Sequence, residues 1–431
     1  MNQVAFDPAD PRASLLELPQ KAAVFALYGV EAHAEPYIGR TPNLRGRLER
    51  LLLPSPKHPR RLQLAGRVRR IEWKLTGSDF ESLLLQFDLL QSIYGPKGLE
   101  RMHLGAPYFV RYLGSNEYPR ITVTNRPSQR EADWAYGPFP SRAAAERFSD
   151  EALKLFLLRR CTDDLNPDPA HPGCVYSEMK MCLAPCYKGC TDERYAQEAN
   201  AVEQFIATRG ESRLVTLRTQ RDEASANLEF ESAAAIHAQV QKAEAVRALA
   251  PELVRPLSRL RAVVLQASAE PDEVAVFLFD GGRLRGPASF STLGMRIQNE
   301  QSGSSSLFAQ PMSLEATPED EGTGNREQET ENIEEGTNAG PLSASARKAA
   351  RTMLETRMDG VLGDLARQGE PPSATVRQGH LALLKRWYYR PETKRTGEVF
   401  YPDAEGGWPV KALLRGAGRI AAKSLTAAAS P

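Results

Sequence analysis

No stretch of this 431-residue chain is apolar over the length needed to span a bilayer, and its opening, MNQVAFDPADPRASLLELPQ, lacks the basic-then-apolar layout of an export signal. These absences argue against a membrane role and leave the cytoplasm as the expected location. Cysteine is scarce, with five residues that all fall between Cys161 and Cys190. Such a cluster does not suit a disulfide framework, which belongs to small exported domains, and points to metal binding. Acids are nearly missing from Arg40 to Arg70, where ten Lys/Arg stand against the single Glu49. Residues 301–345 show the reverse, with nine acids against Arg326 alone, so a net charge of +1 conceals +9 in the remainder. A basic remainder fits a polyanionic partner such as nucleic acid, and on charge alone a solvated basic face fits as well. Hydrophobic and charged fractions of 41% and 25% are ordinary and name no function.

What is present reads as several domains of mixed α+β class, since the chain is too long for one core. AAVFALY (22–28) and PYIG (36–39) read as a strand hairpin. Residues 43–53 then place Leu44, Leu48, Leu51 and Leu52 at helical spacing with Arg45, Arg47 and Arg50 between them. A strand at 69–76 and a helix opened by the Ser78-x-x-Glu81 capping box complete a small α/β domain at 20–100. A strand pair within 105–126, a break at Tyr136-Gly137-Pro138 and a helix over 142–158 lead into the cysteines, giving a region 101–192. Helices follow at 193–208, 212–227 and 231–249, within a region 193–250; the last two form a hairpin whose apolar positions include Leu214, Leu217, Leu228, Phe230, Ile236 and Val240. A β-meander is expected at 258–296, with a turn at Asp280-Gly281-Gly282. Residues 297–345, nearly free of large apolar side chains, read as a disordered acidic linker before a C-terminal helical region at 346–424. That last region contains the run Lys385-Arg386-Trp387-Tyr388-Tyr389-Arg390, which suits either stacking on unpaired bases or the packing of a helix end.

The sharpest chemical signal is Cys161-x12-Cys174-x7-Cys182-x3-Cys186. Four thiolates can close around tetrahedral Zn²⁺ or a cubane iron-sulfur cluster, with Pro172, Gly173 and Pro185 supplying bends. Buried, unliganded thiols are the alternative, and Cys190 is surplus to a set of four.

The segment RRCTDDLNPDPAHPGCVYSEMKMCLAPC, the preceding Tyr136-Gly137-Pro138-Phe139-Pro140-Ser141 and the strand Asn116 to Ile121 resemble the UvrC family of excinucleases. The resemblance covers about residues 20–290. It implies that Cys161, Cys174, Cys182 and Cys186 hold a 4Fe-4S cluster, with zinc left open by the residues themselves. It also implies that LEFESAAAIHAQVQ (228–241) is a UVR motif that pairs with a UvrB-like protein through Leu228, Phe230, Glu231, Ala234 and Ile236. The first domain looks like a GIY-YIG nuclease: Tyr37 matches the second tyrosine, Arg40 stands where lysine is usual, and Arg47 matches the arginine that contacts the scissile phosphate. Arg40, Asn43, Arg45, Arg47 and Arg50 would then contact DNA.

Three further positions depart from the family pattern, one being the asparagine expected shortly after Pro96, where Lys97-Gly98-Leu99 stands. Phe25 replaces the first tyrosine and cannot take a proton, while Tyr28, three positions along the strand, faces the other way. Gln86 replaces the metal-binding glutamate and offers Mg²⁺ one weak carbonyl oxygen. Asp88 sits about 200° around the helix from Gln86 and Glu81 more than a turn away, so neither fills the gap. The resulting expectation is a DNA-binding excision-repair protein with weak or absent incision, needing Mg²⁺ only if the nuclease site works. An active GIY-YIG endonuclease acting with UvrB and a metal-cluster adaptor for protein partners are the alternatives.

Overall fold

The computed structural model of the chain describes residues 1–31, 34–53, 64–293, 295–299, 305–309 and 344–429. Two compact units emerge: the first comprises Met1–Ala262, Leu278–Arg285 and Gln368–Thr396, and the second Val263–Phe277, Gly286–Arg367 and Gly397–Pro431. The mixed α+β class holds, whereas the expected meander at 258–296 and C-terminal region at 346–424 are each divided between units.

The first unit opens with β1 (Asn2–Ala5), α1 (Pro11–Leu16), β2 (Ala23–Tyr28), β3 (Tyr37–Thr41), α2 (Leu44–Leu52), β4 (Arg70–Leu75), α3 (Asp79–Tyr94) and α4 (Pro96–Glu100). The sheet order is β1-β4-β2-β3, antiparallel throughout, with Phe25 opposite Gly39 and Trp73. Ala23, Phe25 and Leu27 point to one face and pack with Leu15, Leu44, Leu48 and Leu52 of α1 and α2. The alternate residues Val24 and Ala26 are equally buried on the face that α3 covers. Residues before 20 also pack with this sheet: Asn2–Ala5 pair with β4, and Leu15 of α1 joins the core. Ser78 caps α3 by accepting from the Glu81 amide at 3.1 Å, as the capping pattern predicts, although the Glu81 carboxylate reaches back to the Gly77 amide at 2.8 Å.

Next come β5 (Tyr108–Tyr112), β6 (Ile121–Thr124), β7 (Ala135–Phe139), α5 (Arg142–Leu153), α6 (Val175–Glu178), α7 (Asp192–Ala207), α8 (Glu211–Ala226), α9 (Phe230–Ala248) and β8 (Arg255–Pro256). The sheet order is β6-β5-β7-β8. The Tyr-Gly-Pro segment read as a break is a strand, because Tyr136 is buried and pairs with both Val110 and Pro256. Helix α5 ends at Leu153, short of the expected 158; Phe156 and Leu158 instead enter the core from the non-helical chain that follows, with the Leu157 amide donating to Glu198 at 2.7 Å. The hairpin α8–α9 buries Leu214, Leu217 and Val240, but Leu228 and Phe230 at its tip stand 72% and 66% exposed and lie outside its packing stripe.

In the second unit and its connections, β9 (Ala262–Ala267), β10 (Glu273–Asp280) and β11 (Arg283–Ser291) form the predicted meander, turning at Gly281 and Gly282 with φ of +58° and +76°. Part of the expected linker, β12 (Met295–Asn299) and β13 (Ser305–Ala309), forms an antiparallel pair. Leu307 and Phe308 are an apolar pair that the polar average of 297–345 concealed; residues 310–343 of that linker lie outside the described ones. The chain continues with α10 (Ala344–Arg367), α11 (Ala374–Tyr388), β14 (Glu398–Phe400) and α12 (Val410–Ala429). Strand β14 adds to β9, giving the order β11-β10-β9-β14, and Arg419 of α12 pairs with Glu398 at 2.8 Å. Among the described residues no helix is long and apolar enough to cross a membrane.

Candidate nucleic-acid interface and cysteine cluster

Tyr37 and Arg40 lie on the edge strand β3. Strand alternation sets Tyr37 beside Phe25 on the face toward α2, with ring centroids 6.1 Å apart, while Arg40, opposite Val24, projects toward α3. Tyr37 and Arg40, grouped as one catalytic set from sequence, thus leave opposite faces of the strand. Phe25 is fully buried, and its ring lies so near Gly39 that a β-carbon there would come within 2.7 Å. Tyr37 is 44% exposed. Tyr28 is on the α3 face, where burial and the neighbouring Glu72 carboxylate push its hydroxyl above the ordinary tyrosine range.

On α2, Asn43 caps the helix by accepting from the Gly46 amide at 2.8 Å. Arg45 donates to the carbonyls of Leu18 and Leu16 at 2.7 and 2.6 Å, so its guanidinium secures the end of α1. Arg47 is half-buried one turn beyond Asn43, and exposed Arg50 donates to the Gly46 carbonyl at 2.9 Å.

On α3, Asp79 and Gln86 are seven residues apart and share a face within about 20°, separated by about 10.5 Å along the axis. The Asp79 carboxylate is held by Arg40 on one oxygen and by Arg390 on the other. Burial alone would raise its pKa, but the Arg390 hydrogen bond and the charges of Arg40 and Arg390 hold it below the usual carboxylate range. Glu81 is buried, which pushes its carboxyl upward, and it is engaged by the Gly77 amide. Asp88 is exposed. Asp79 is two turns from Gln86 and already paired, and Glu81 is committed to the helix start.

Sequence reasoning missed Asp79 and Arg390. The run ending in Arg390 packs as a helix end, with Tyr388 half-buried. Trp387 is 1% exposed and donates to the Thr396 carbonyl at 2.9 Å, Tyr389 donates to the Pro138 carbonyl at 2.9 Å, and Lys385 to that of Ala106 at 2.8 Å. The excess of basic residues at the end of α11 was the only signal for Arg390; its partner lies 311 positions away.

The cysteine region is a looped segment in which Cys174 starts α6 and Pro185 starts a short 3₁₀ turn, Pro185–Tyr187. Gly173 has φ of +82°, and Ala184 and Lys188 are also left-handed, bends that wrap the chain on itself. Burial raises the Cys182 and Cys186 thiols, and the charges of Cys174 and Cys161 add to the rise in both. All four thiols therefore share one electrostatic neighbourhood. Among the described residues, however, no three His, Cys, Asp or Glu side chains are already disposed to hold a metal ion. The donor chemistry suits a soft metal, and the spacing is not closed to coordination. Buried Arg159 flanks the set, donating to the Cys161 carbonyl at 3.4 Å.

A family model described as the UvrC/Cho excinuclease middle domain matches residues 108–205, from the start of β5 to near the end of α7, including all five cysteines. The UvrABC system protein C of Alcanivorax borkumensis is 30% identical over 239 residues, covering 55% of this chain and 39% of that protein. Those of Aliivibrio salmonicida and Pseudomonas protegens are 27% and 28% identical over 241 and 282 residues, covering 56% and 64% of this chain and 39% and 43% of theirs. The chain thus spans about two fifths of the length of these relatives. No solved structure matches the chain at a significant level. The β5–α7 segment with its cysteines is thus similar to the UvrC/Cho excinuclease middle domain, and over half of the chain is similar to UvrABC system protein C.

Proposed function

We propose that the chain binds DNA in nucleotide-excision repair and that its nuclease-like domain recognises or scaffolds more than it cuts. The observation that carries this reading is the face of α3: a neutral amide at Gln86, and a single carboxylate two turns away that two arginines already neutralise. A divalent ion at that face would meet no available carboxylate oxygen, and its charge stabilisation of a breaking phosphate ester would be missing. Buried Phe25 adds the loss of a base-like hydroxyl, worth about 10²- to 10⁴-fold in rate. The relatives' name places them in the UvrABC system, and the exposed tip formed by Leu228 and Phe230 suits a UvrB-like protein partner. The four cysteines would hold a metal cluster that stiffens the looped segment between α5 and α7.

The test is incubation of the full chain with Mg²⁺ or Mn²⁺ and nicked or lesion-bearing duplex. Salt-sensitive binding without incision is expected, with binding weakened by Arg47→Glu. Gln86→Glu should raise Mn²⁺ affinity in a calorimetric titration. Incision by the unaltered protein that Tyr37→Phe or Arg47→Ala abolishes would overturn the proposal.

A further inference from the structure

The segment Gln368–Thr396 lies beyond the reach of the UvrC resemblance and yet belongs to the first unit. Helix α11 runs antiparallel along α3: Phe80 meets Trp387 with centroids 5.4 Å apart, and Phe87, one heptad on, meets His380, one heptad back, at 4.9 Å. The hydrogen bonds of Lys385 and Tyr389 to Ala106 and Pro138, and that of Gln378 to the Asn125 carbonyl at 2.7 Å, fix its position along α3. This docking brings Arg390, two residues past the helix, to the Asp79 carboxylate that Arg40 approaches from β3.

One carboxylate needs one cation, and here it has two. The cluster carries a surplus positive charge, and the Arg40, Asp79 and Arg390 side chains are each about one third exposed, at 30%, 35% and 27%. Each guanidinium has five N–H donors in a rigid fork, more than one shared carboxylate can accept, so the donors left over form a two-armed site for an oxyanion. We propose that Arg40 and Arg390, aligned by Asp79, seat a backbone phosphate of DNA, and that Arg390 is therefore a DNA-binding residue supplied by the C-terminal segment. Asp79 keeps the two like charges together in the absence of ligand. A phosphate arriving between them takes charge-assisted, bidentate hydrogen bonds from forks that are already oriented. This inference rests on the DNA-binding reading above.

Duplex affinity of the full chain, measured by fluorescence anisotropy of a short labelled duplex over a series of salt concentrations, tests it, with thermal melting read on the same samples. Arg390→Gln should weaken binding several-fold and lower the slope of log affinity against log salt by about 1, as loss of one phosphate contact does. Asp79→Asn should leave that slope unchanged, since both cations remain. If Arg390→Gln does not fold, Arg390→Lys carries the test: affinity should fall several-fold while the slope stays, because the ammonium keeps the charge and loses the fork. Unchanged affinity in Arg390→Lys would then overturn the inference. So would an Arg390→Gln protein with a lowered melting temperature but an unaltered salt slope, which is the behaviour of a purely structural ion pair. Absence of salt-sensitive binding by the unaltered chain would instead sink the DNA-binding reading itself.

Discussion

The Phe87 ring lies against Gly379 so closely that a β-carbon on the glycine would stand 2.2 Å from it. This contact lets α11 approach α3 near enough for the Phe80–Trp387 and Phe87–His380 pairs to form. Gly379→Ala gains about 1 kcal/mol of helix preference, but overpacking against a fully buried ring costs about 1–3 kcal/mol. With the clash this short the second effect should dominate, giving a net loss of up to about 2 kcal/mol in denaturant unfolding. A stabilised Gly379→Ala protein would mean that α11 does not sit this tightly on α3.

His380 makes the same junction sensitive to acid. Its ring is 2% exposed, and Nδ1 accepts from the Leu284 amide at 3.0 Å. Burial and the charges of Arg283 and Arg285 push its pKa down to about 3. Unfolding frees it to titrate at its ordinary value, so the unfolded chain binds one more proton between about pH 6.5 and 3. Its contribution is fully present above pH 6.5 and declines as pH falls toward 3, with a limiting slope of about 1.4 kcal/mol per pH unit. Stability against pH should therefore fall less steeply in His380→Gln than in the unaltered protein. Parallel curves would refute this.

The tip and body of the α8–α9 hairpin should respond oppositely. Leu217 is 2% exposed, and Leu217→Ala should cost about 2–5 kcal/mol. Leu228→Ser and Phe230→Ser, at exposed positions, should change stability by no more than about 0.5 kcal/mol. If the tip is a docking surface, the double tip variant loses binding to a UvrB-like protein in a pull-down while melting normally; retained binding would remove the tip from the interface.

Anaerobically purified protein should show broad visible absorption that Cys174→Ser or Cys182→Ser abolishes. Burial and the neighbouring cysteines raise the Cys182 and Cys186 thiols, and a bound metal cation would offset that rise and hold them as thiolates. A colourless protein with stoichiometric zinc would exclude the iron-sulfur assignment, and a colourless metal-free protein would exclude both.

Much of the architecture was legible because it is written in local pattern. The 3.6-residue spacing of leucines in α2, the Ser78 cap of α3, the alternation in β4 and the Asp280-Gly281-Gly282 turn all act within a few residues of themselves. The identities of Phe25 and Gln86 and the clustering of the cysteines are likewise facts of the sequence, and the chemistry each side chain can offer follows from its identity. Placement across long separations is another matter. That Tyr37 and Arg40 leave opposite faces depends on β3 pairing in register with β2, and that Leu228 and Phe230 face solvent depends on where the hairpin turns. Above all, the meeting of Arg390 with Asp79 and Arg40 required α11 to dock on α3, because a charge signals its sign in the sequence but finds its partner only when distant segments pack together.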